Sequence, residues 1–197
     1  MAYNPKDYYF KKAKAENFVA RSVYKLEEID QRHKLFKSGQ KVLDLGAAPG
    51  SWSQYLSKKV GESGKVLGID LTPIKINLPN AVFVTADIES VNLEDIFKQH
   101  GFVPPLDSVV SDMAPNTTGI RSADQARSFA LCEMALTVAM RMLKPGGSFV
   151  CKIFHGNEFE VLRKSMRSNF KTVDIIKPKG TRKESKEIFM IGLGFFK

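Results

Sequence analysis

Four aspartates stand at or near the ends of short apolar segments: Asp44 in Lys41–Leu45, Asp70 after Lys65–Ile69, Asp87 after Val82–Thr85, and Asp112 after Ser108–Ser111. The first of them opens the run Asp44-Leu45-Gly46-Ala47-Ala48-Pro49-Gly50-Ser51-Trp52. Small residues such as Gly46 let a backbone approach a ligand closely, and the helix that follows offers free N–H groups at its start. The spacing is not the G-x-G-x-x-G of a dinucleotide site, and no Gly-Lys-Ser/Thr of a P-loop is present. Asp44 would repel a phosphate but favour a cation. An ammonium or sulfonium ligand therefore suits this turn, and S-adenosylmethionine carries both. Asp70 is placed to accept hydrogen bonds from two ribose hydroxyls, and Asp87 to accept from an adenine amine. A single strand-end aspartate commonly does no more than solvate a loop. Three in order along one sheet edge point to a nucleoside-like ligand. Trp52, the only tryptophan, has two open readings: core packing, or a wall of the ligand pocket.

The elements that must hold these residues can be read in order. A helix is expected over about 20–33, with Val23, Leu26 and Ile29 on one stripe. Strands follow at 41–45, 65–69, 82–85, 108–111, 148–153, 172–176 and 188–195. Helices lie between them at 51–59, 93–99, 123–143 and 158–167, and Pro145-Gly146-Gly147 ends the long one. Strands alternating with helices predict an α/β protein with a doubly wound, mostly parallel, seven-stranded Rossmann-like sheet. The last two strands are joined by a loop too short for a crossover helix, so the final strand should run antiparallel. By analogy, that ending separates a class I methyltransferase sheet from a nicotinamide-binding one. No repeat or low-complexity linker interrupts 1–197, so a single domain is expected, with a basic segment and helix over 1–40.

The chain has 197 residues, 43% hydrophobic and 26% charged, with a formal net charge of +9. That composition is globular, and the positive excess calls for a polyanionic partner. That partner is a nucleic acid or an acidic membrane surface. No apolar run is long enough for a membrane span, which argues against an integral membrane protein, the start lacks a signal core, and a cytoplasmic enzyme is the expectation. Cys132 and Cys151 form neither a disulfide framework nor a metal spacing, and read as buried thiols. His33, His100 and His155 show no ligand spacing, so no metal is expected. His155 lies close after Lys152, where contact with RNA and plain surface exposure are both open.

Five ordered blocks resemble one family. Asp44 through Gln54 is similar to the cofactor turn of the FtsJ/RrmJ (RlmE) ribose 2′-O-methyltransferases of large-subunit ribosomal RNA. Ser111 through Gly119 resembles the loop after that family's fourth strand. Arg21 through Leu26, Gly147 through Phe154, and Lys177-Pro178 through Phe189 resemble its remaining blocks. The likeness runs from about Arg21 to Ile191. It departs at Ser51, where the family has a second glycine, and at Ala20 and Ser22.

The resemblance implies a catalytic tetrad of Lys25, Asp112, Lys152 and Glu187, cofactor contacts at Gly50, Trp52, Asp70, Asp87 and Asp112, and S-adenosylmethionine as the cofactor. The chemistry suits these types. A neutral ribose hydroxyl is a poor nucleophile, and in-line displacement at a sulfonium methyl needs alignment and removal of one proton. A lysine accepts a proton only as the neutral amine, which a second cation nearby favours. Lys152 is thus the expected general base, with Lys25 and Glu187 orienting the hydroxyl and Asp112 holding Lys152.

The implied partner is RNA, most of all a uridine of 23S-type ribosomal RNA in a ribosomal particle, with the enzyme a monomer. Alternatives are a transfer RNA or an mRNA cap, or a non-catalytic ribosome-assembly factor; the complete tetrad argues against the last. Lys12 and Lys14, interleaved with aromatic residues, and Lys179, Arg182 and Lys183, just ahead of Glu187, are the candidate RNA contacts.

Overall fold

The computed structural model describes residues 8–156, 158–182 and 185–196. Among them, helices α1 (Tyr8–Ala15) and α2 (Val23–His33) precede strand β1 (Lys41–Leu45). There follow α3 (Ser51–Val60), β2 (Lys65–Asp70), β3 (Ala81–Thr85), α4 (Leu93–Gln99), β4 (Leu106–Ser111) and α5 (Arg121–Met142). The remainder comprises β5 (Leu143–Phe154), α6 (Phe159–Arg167), β6 (Phe170–Ile176) and β7 (Glu187–Phe195).

Strand periodicity sorts the side chains into two cores. Val42 and Val66 face one side of the sheet with Val110 and Val150, and there meet α2 and α3 through Leu26, Ile29 and Leu56. Leu43, Leu67, Val109 and Phe149 face the other side, and meet α4, α5 and α6 through Phe97, Leu136 and Leu162. This alternation is what residues of period two impose on a sheet covered on both faces.

The seven strands among the described residues lie in the order β3-β2-β1-β4-β5-β7-β6. β1 pairs in parallel with both β2 and β4, whereas β7 runs antiparallel to both β5 and β6. The fold is the expected doubly wound sheet with an antiparallel last strand. Strand order reverses direction between β1 and β4, and the carboxyl ends of those two strands open a crevice at that point, the place where such sheets bind ligands.

Besides end shifts of one to three residues, as in α2, α5 and β6, two differences from the sequence reading have a tertiary reason. The basic N-terminal segment contains a helix, α1. Eight residues are too few for a stable isolated helix, but Tyr9 packs on Tyr24 at 5.5 Å and Ala13 is buried against the α2–α3 side. Strand β5 begins at Leu143 rather than at Ser148, because Leu143 pairs with Leu106 across an irregularity in the β4–β5 ladder. Gly147 belongs to that stretch, where an added Cβ would meet the Lys144 carbonyl oxygen at 2.9 Å.

Candidate active site

The crevice holds a cavity of about 530 Å³ lined by Gly46, Ala48, Asp70, Asp87, Asp112 and Met113, with Leu131 and Met134 of α5 as its apolar wall. Gly46 has φ +73, and a Cβ there would meet Met113 Cγ at 2.6 Å. Glycine thus lets the turn after β1 lie directly against the loop after β4. Asp70 accepts the Ala48 N–H at 2.9 Å through one oxygen and the Thr72 N–H at 2.7 Å through the other. Each oxygen keeps a lone pair for a further donor. Asp87 accepts the Glu89 N–H at 3.0 Å in an Asx-type turn and stays exposed.

Three other residues expected at the cofactor do not line this cavity. Asp44 is fully buried on the α3 side, where it accepts a 2.6 Å hydrogen bond from Ser53 Oγ. Its Oδ1 has no hydrogen-bond partner. Burial pushes its carboxyl up to about 7, and the nearby Asp112 and Asp70 push the same way. Gly50 caps α3 with φ +111, and a Cβ there would strike Ile76 Cδ1 at 2.4 Å. Trp52 lies in the α2–α3 core, its Nε1 donating to the Ser22 carbonyl at 2.9 Å and its ring 5.8 Å from that of Phe189.

The four tetrad residues come together beside the cavity as two ion pairs. Asp112 directly follows β4, whose Ser111 pairs with Cys151 of β5. That register brings Lys152 beside Asp112. The Lys152 ammonium lies 2.9 Å from Asp112 Oδ1 and directs a 2.6 Å hydrogen bond to the Asp112 carbonyl oxygen. Its side chain is almost wholly buried, and its own carbonyl accepts from the Cys132 thiol at 2.9 Å. On the next strand Phe189 faces Lys152 and Glu187 faces Phe154. Residues two apart on a strand share a face, so Lys152 and Glu187 are diagonal neighbours. Lys25 reaches them from α2, forms an ion pair with Glu187, and stands 5.8 Å from the Phe189 ring centroid.

The element that places Lys25 is anchored by contacts not evident in the sequence. Ser22 Oγ and Ser51 Oγ lie 2.8 Å apart and tie the start of α2 to the start of α3. Ser22 and Ser51 are also two of the three departures from the family pattern. A paired gain of hydroxyls was the available signal. The loop ahead of β7 is fastened to the same helix, with Arg21 donating to the Gly180 carbonyl at 3.1 Å and the Lys179 N–H donating to Glu28 Oε2 at 2.7 Å. Arg21 has a lowered pKa, through burial first and the neighbouring Arg182 second.

The candidate RNA contacts divide. Lys179 and Arg182 are exposed on that loop, whereas Lys183 lies outside the described residues. Lys14 is exposed on α1. Lys12 is engaged within the protein, 3.8 Å from Glu16, 3.9 Å from Glu27 and 4.2 Å from the Tyr24 ring centroid.

A parallel sheet reversing between β1 and β4, an antiparallel β7 and a nucleoside-sized cavity rimmed by Asp70, Asp87 and Asp112 define a class I methyltransferase that uses S-adenosylmethionine. The donor set suits that cofactor: carboxylates for hydroxyls and an amine, and no cluster of cations to bind phosphate. The FtsJ-like methyltransferase family model matches residues 18–195, and the chain belongs to that family. A Bdellovibrio bacteriovorus protein named ribosomal RNA large subunit methyltransferase E is 65% identical over 193 residues, covering 98% of each chain. A Syntrophobacter fumaroxidans protein of the same name is 49% identical over 195 residues, again covering 98% of each. The solved structure of a Plasmodium falciparum protein described as a ribosomal RNA methyltransferase superposes with a TM-score of 0.79 at 25% identity, over 91% of this chain and 99% of that one.

Proposed function

We propose that this enzyme methylates a ribose 2′-hydroxyl of large-subunit ribosomal RNA, with Lys152 as the general base. The substrate class is supported by relatives that share almost the whole chain and carry that activity in their names. The observation that carries the chemistry is the pair of ion pairs, Lys152 with Asp112 and Lys25 with Glu187, the first of which includes Asp112 of the cavity lining.

When bound, the cofactor supplies an electrophilic methyl group on a sulfonium. Asp70 would hold its ribose hydroxyls and Asp87 its adenine amine, while Gly46 keeps the turn close enough for contact. Asp112 sits between the cavity and Lys152, so it borders both reactants. Lys152 Nζ takes the proton of the attacking hydroxyl. It does so only as the neutral amine. Glu187 holds Lys25, and the pair orients the hydroxyl for in-line attack. Nothing in this displacement calls for a metal.

The same reading includes one domain over 1–197, a monomer, a uridine target within a ribosomal particle, and a cytoplasmic setting. Among the described residues no helix is long and apolar enough to cross a membrane. Mapping 2′-O-methyl groups in RNA from cells with and without this protein tests the proposal. One large-subunit site should disappear with the protein. Loss of a transfer RNA or cap methyl group instead, or no loss at all, would overturn it.

A further inference from the structure

His155 is not needed for the chemistry above, yet both its ring and its backbone are held by contacts within the protein. Its ring stacks on Phe159 with centroids 5.3 Å apart and planes 15° apart. Phe159 is buried in the core at the start of α6, whereas His155 is exposed. Its backbone is fixed from two directions. The His155 N–H donates to the Lys186 carbonyl at 3.1 Å, and its carbonyl accepts from Gln125 Nε2 of α5 at 2.5 Å. Phe154 N, one residue earlier, donates to Ser128 Oγ of α5 at 3.0 Å. Gly156, one residue later, has no room for a Cβ, which would lie 2.8 Å from Gln125 Cδ.

An imidazole laid flat on a core phenylalanine, and pinned by α5 on one side and the pre-β7 loop on the other, is a preformed stacking surface. Exposed aromatic rings of this kind bind unpaired RNA bases through their faces. Its place matches that use. His155 follows Lys152 by three residues, about 10 Å at the rise of a strand. It adjoins Lys186, whose side chain is exposed, and the loop carrying Arg182. Three residues of strand put the two side chains on opposite faces, Lys152 with Phe189 and His155 with Phe159, but both stand at the carboxyl end of β5. An RNA strand crossing that edge can therefore set a ribose at Lys152 and a base at His155, with phosphates near Lys186 and Arg182.

We propose that His155, backed by Phe159, is a substrate-positioning residue that stacks on an RNA base beside the methylated ribose. The inference rests on the RNA reading above.

The test compares wild type, His155→Ala and His155→Phe on large-subunit particles purified from cells lacking this enzyme. His155→Ala should raise KM for the particle about tenfold, the scale of one base stack, with kcat and cofactor affinity within about twofold. His155→Phe keeps a ring and should restore KM. The salt dependence of kcat/KM should keep its slope in His155→Ala, because stacking releases no counterions. An unchanged KM in His155→Ala overturns the proposal. So does failure of His155→Phe to rescue, or a flatter salt slope, which would assign His155 to a phosphate. A wild type inert on these particles would overturn the RNA reading itself, and this inference with it.

Discussion

Burial pushes the Asp44 carboxyl up to about 7, well above the usual carboxylate range. The unfolded chain gives up this proton near pH 4, whereas the folded protein keeps it until about pH 7. The unfolded state therefore binds fewer protons between those limits, and stability falls as pH rises through them. For the cofactor-free protein, urea unfolding should show a loss on the order of a few kcal/mol between pH 4 and pH 7, and Asp44→Asn should remove that slope. A slope that survives the substitution would place its source elsewhere. At the reacting centre, Lys152→Ala should abolish methyl transfer while leaving S-adenosylmethionine affinity within a few-fold by calorimetry. Asp70→Ala should do the reverse in kind, weakening affinity about tenfold, the scale of one charge-assisted hydrogen bond. The strand-end aspartates were legible as a set, because three carboxylates in order along one sheet edge are more than loop solvation needs. Their depth was not legible. Asp44 and Asp70 stand on neighbouring strands, but Asp44 pairs with Gly68, two residues short of Asp70, and is enclosed by α3, whereas Asp70 lines the cavity. Lys25 and Glu187 were legible only through family resemblance, since nothing local distinguishes them from solvated surface charges.

Most strands and helices were legible within one or two residues, since apolar periodicity and the Gly and Pro breaks agreed along the chain. The exceptions depend on partners distant in sequence. α1 is a helix because Tyr24 and the α2–α3 core receive it, and no window of its own residues carries that fact. The junction of α2 with α3 was equally hidden. Ser22 and Ser51 replace small residues of the family pattern, and their hydroxyls meet each other. A double-mutant cycle of Ser22→Ala and Ser51→Ala, read by urea unfolding, should give a coupling of about 1 kcal/mol. Additive effects would show that the two hydroxyls do not depend on each other. The turn between β1 and α3 is less forgiving. Gly46→Ala combines a left-handed backbone with a clash against Met113. It should cost about 1–3 kcal/mol of stability and lower cofactor affinity.

Across the whole molecule, a net charge of +9 matches an RNA partner. Replacing Lys179 and Arg182 together with alanine should weaken RNA binding and lower the slope of log affinity against log salt by roughly 1.4, if each neutralises one phosphate of a single strand. An unchanged slope would move the phosphate contacts elsewhere. The order of the sheet has a further consequence. β7 is the last strand in sequence but lies between β5 and β6. A chain emerging from the ribosome therefore presents two open strand edges, β5 and β6, with a vacant slot between them, until β7 joins them. That segment also brings Glu187, the partner of Lys25. A nascent copy thus cannot pair Lys25 with Glu187 until β7 has left the exit tunnel.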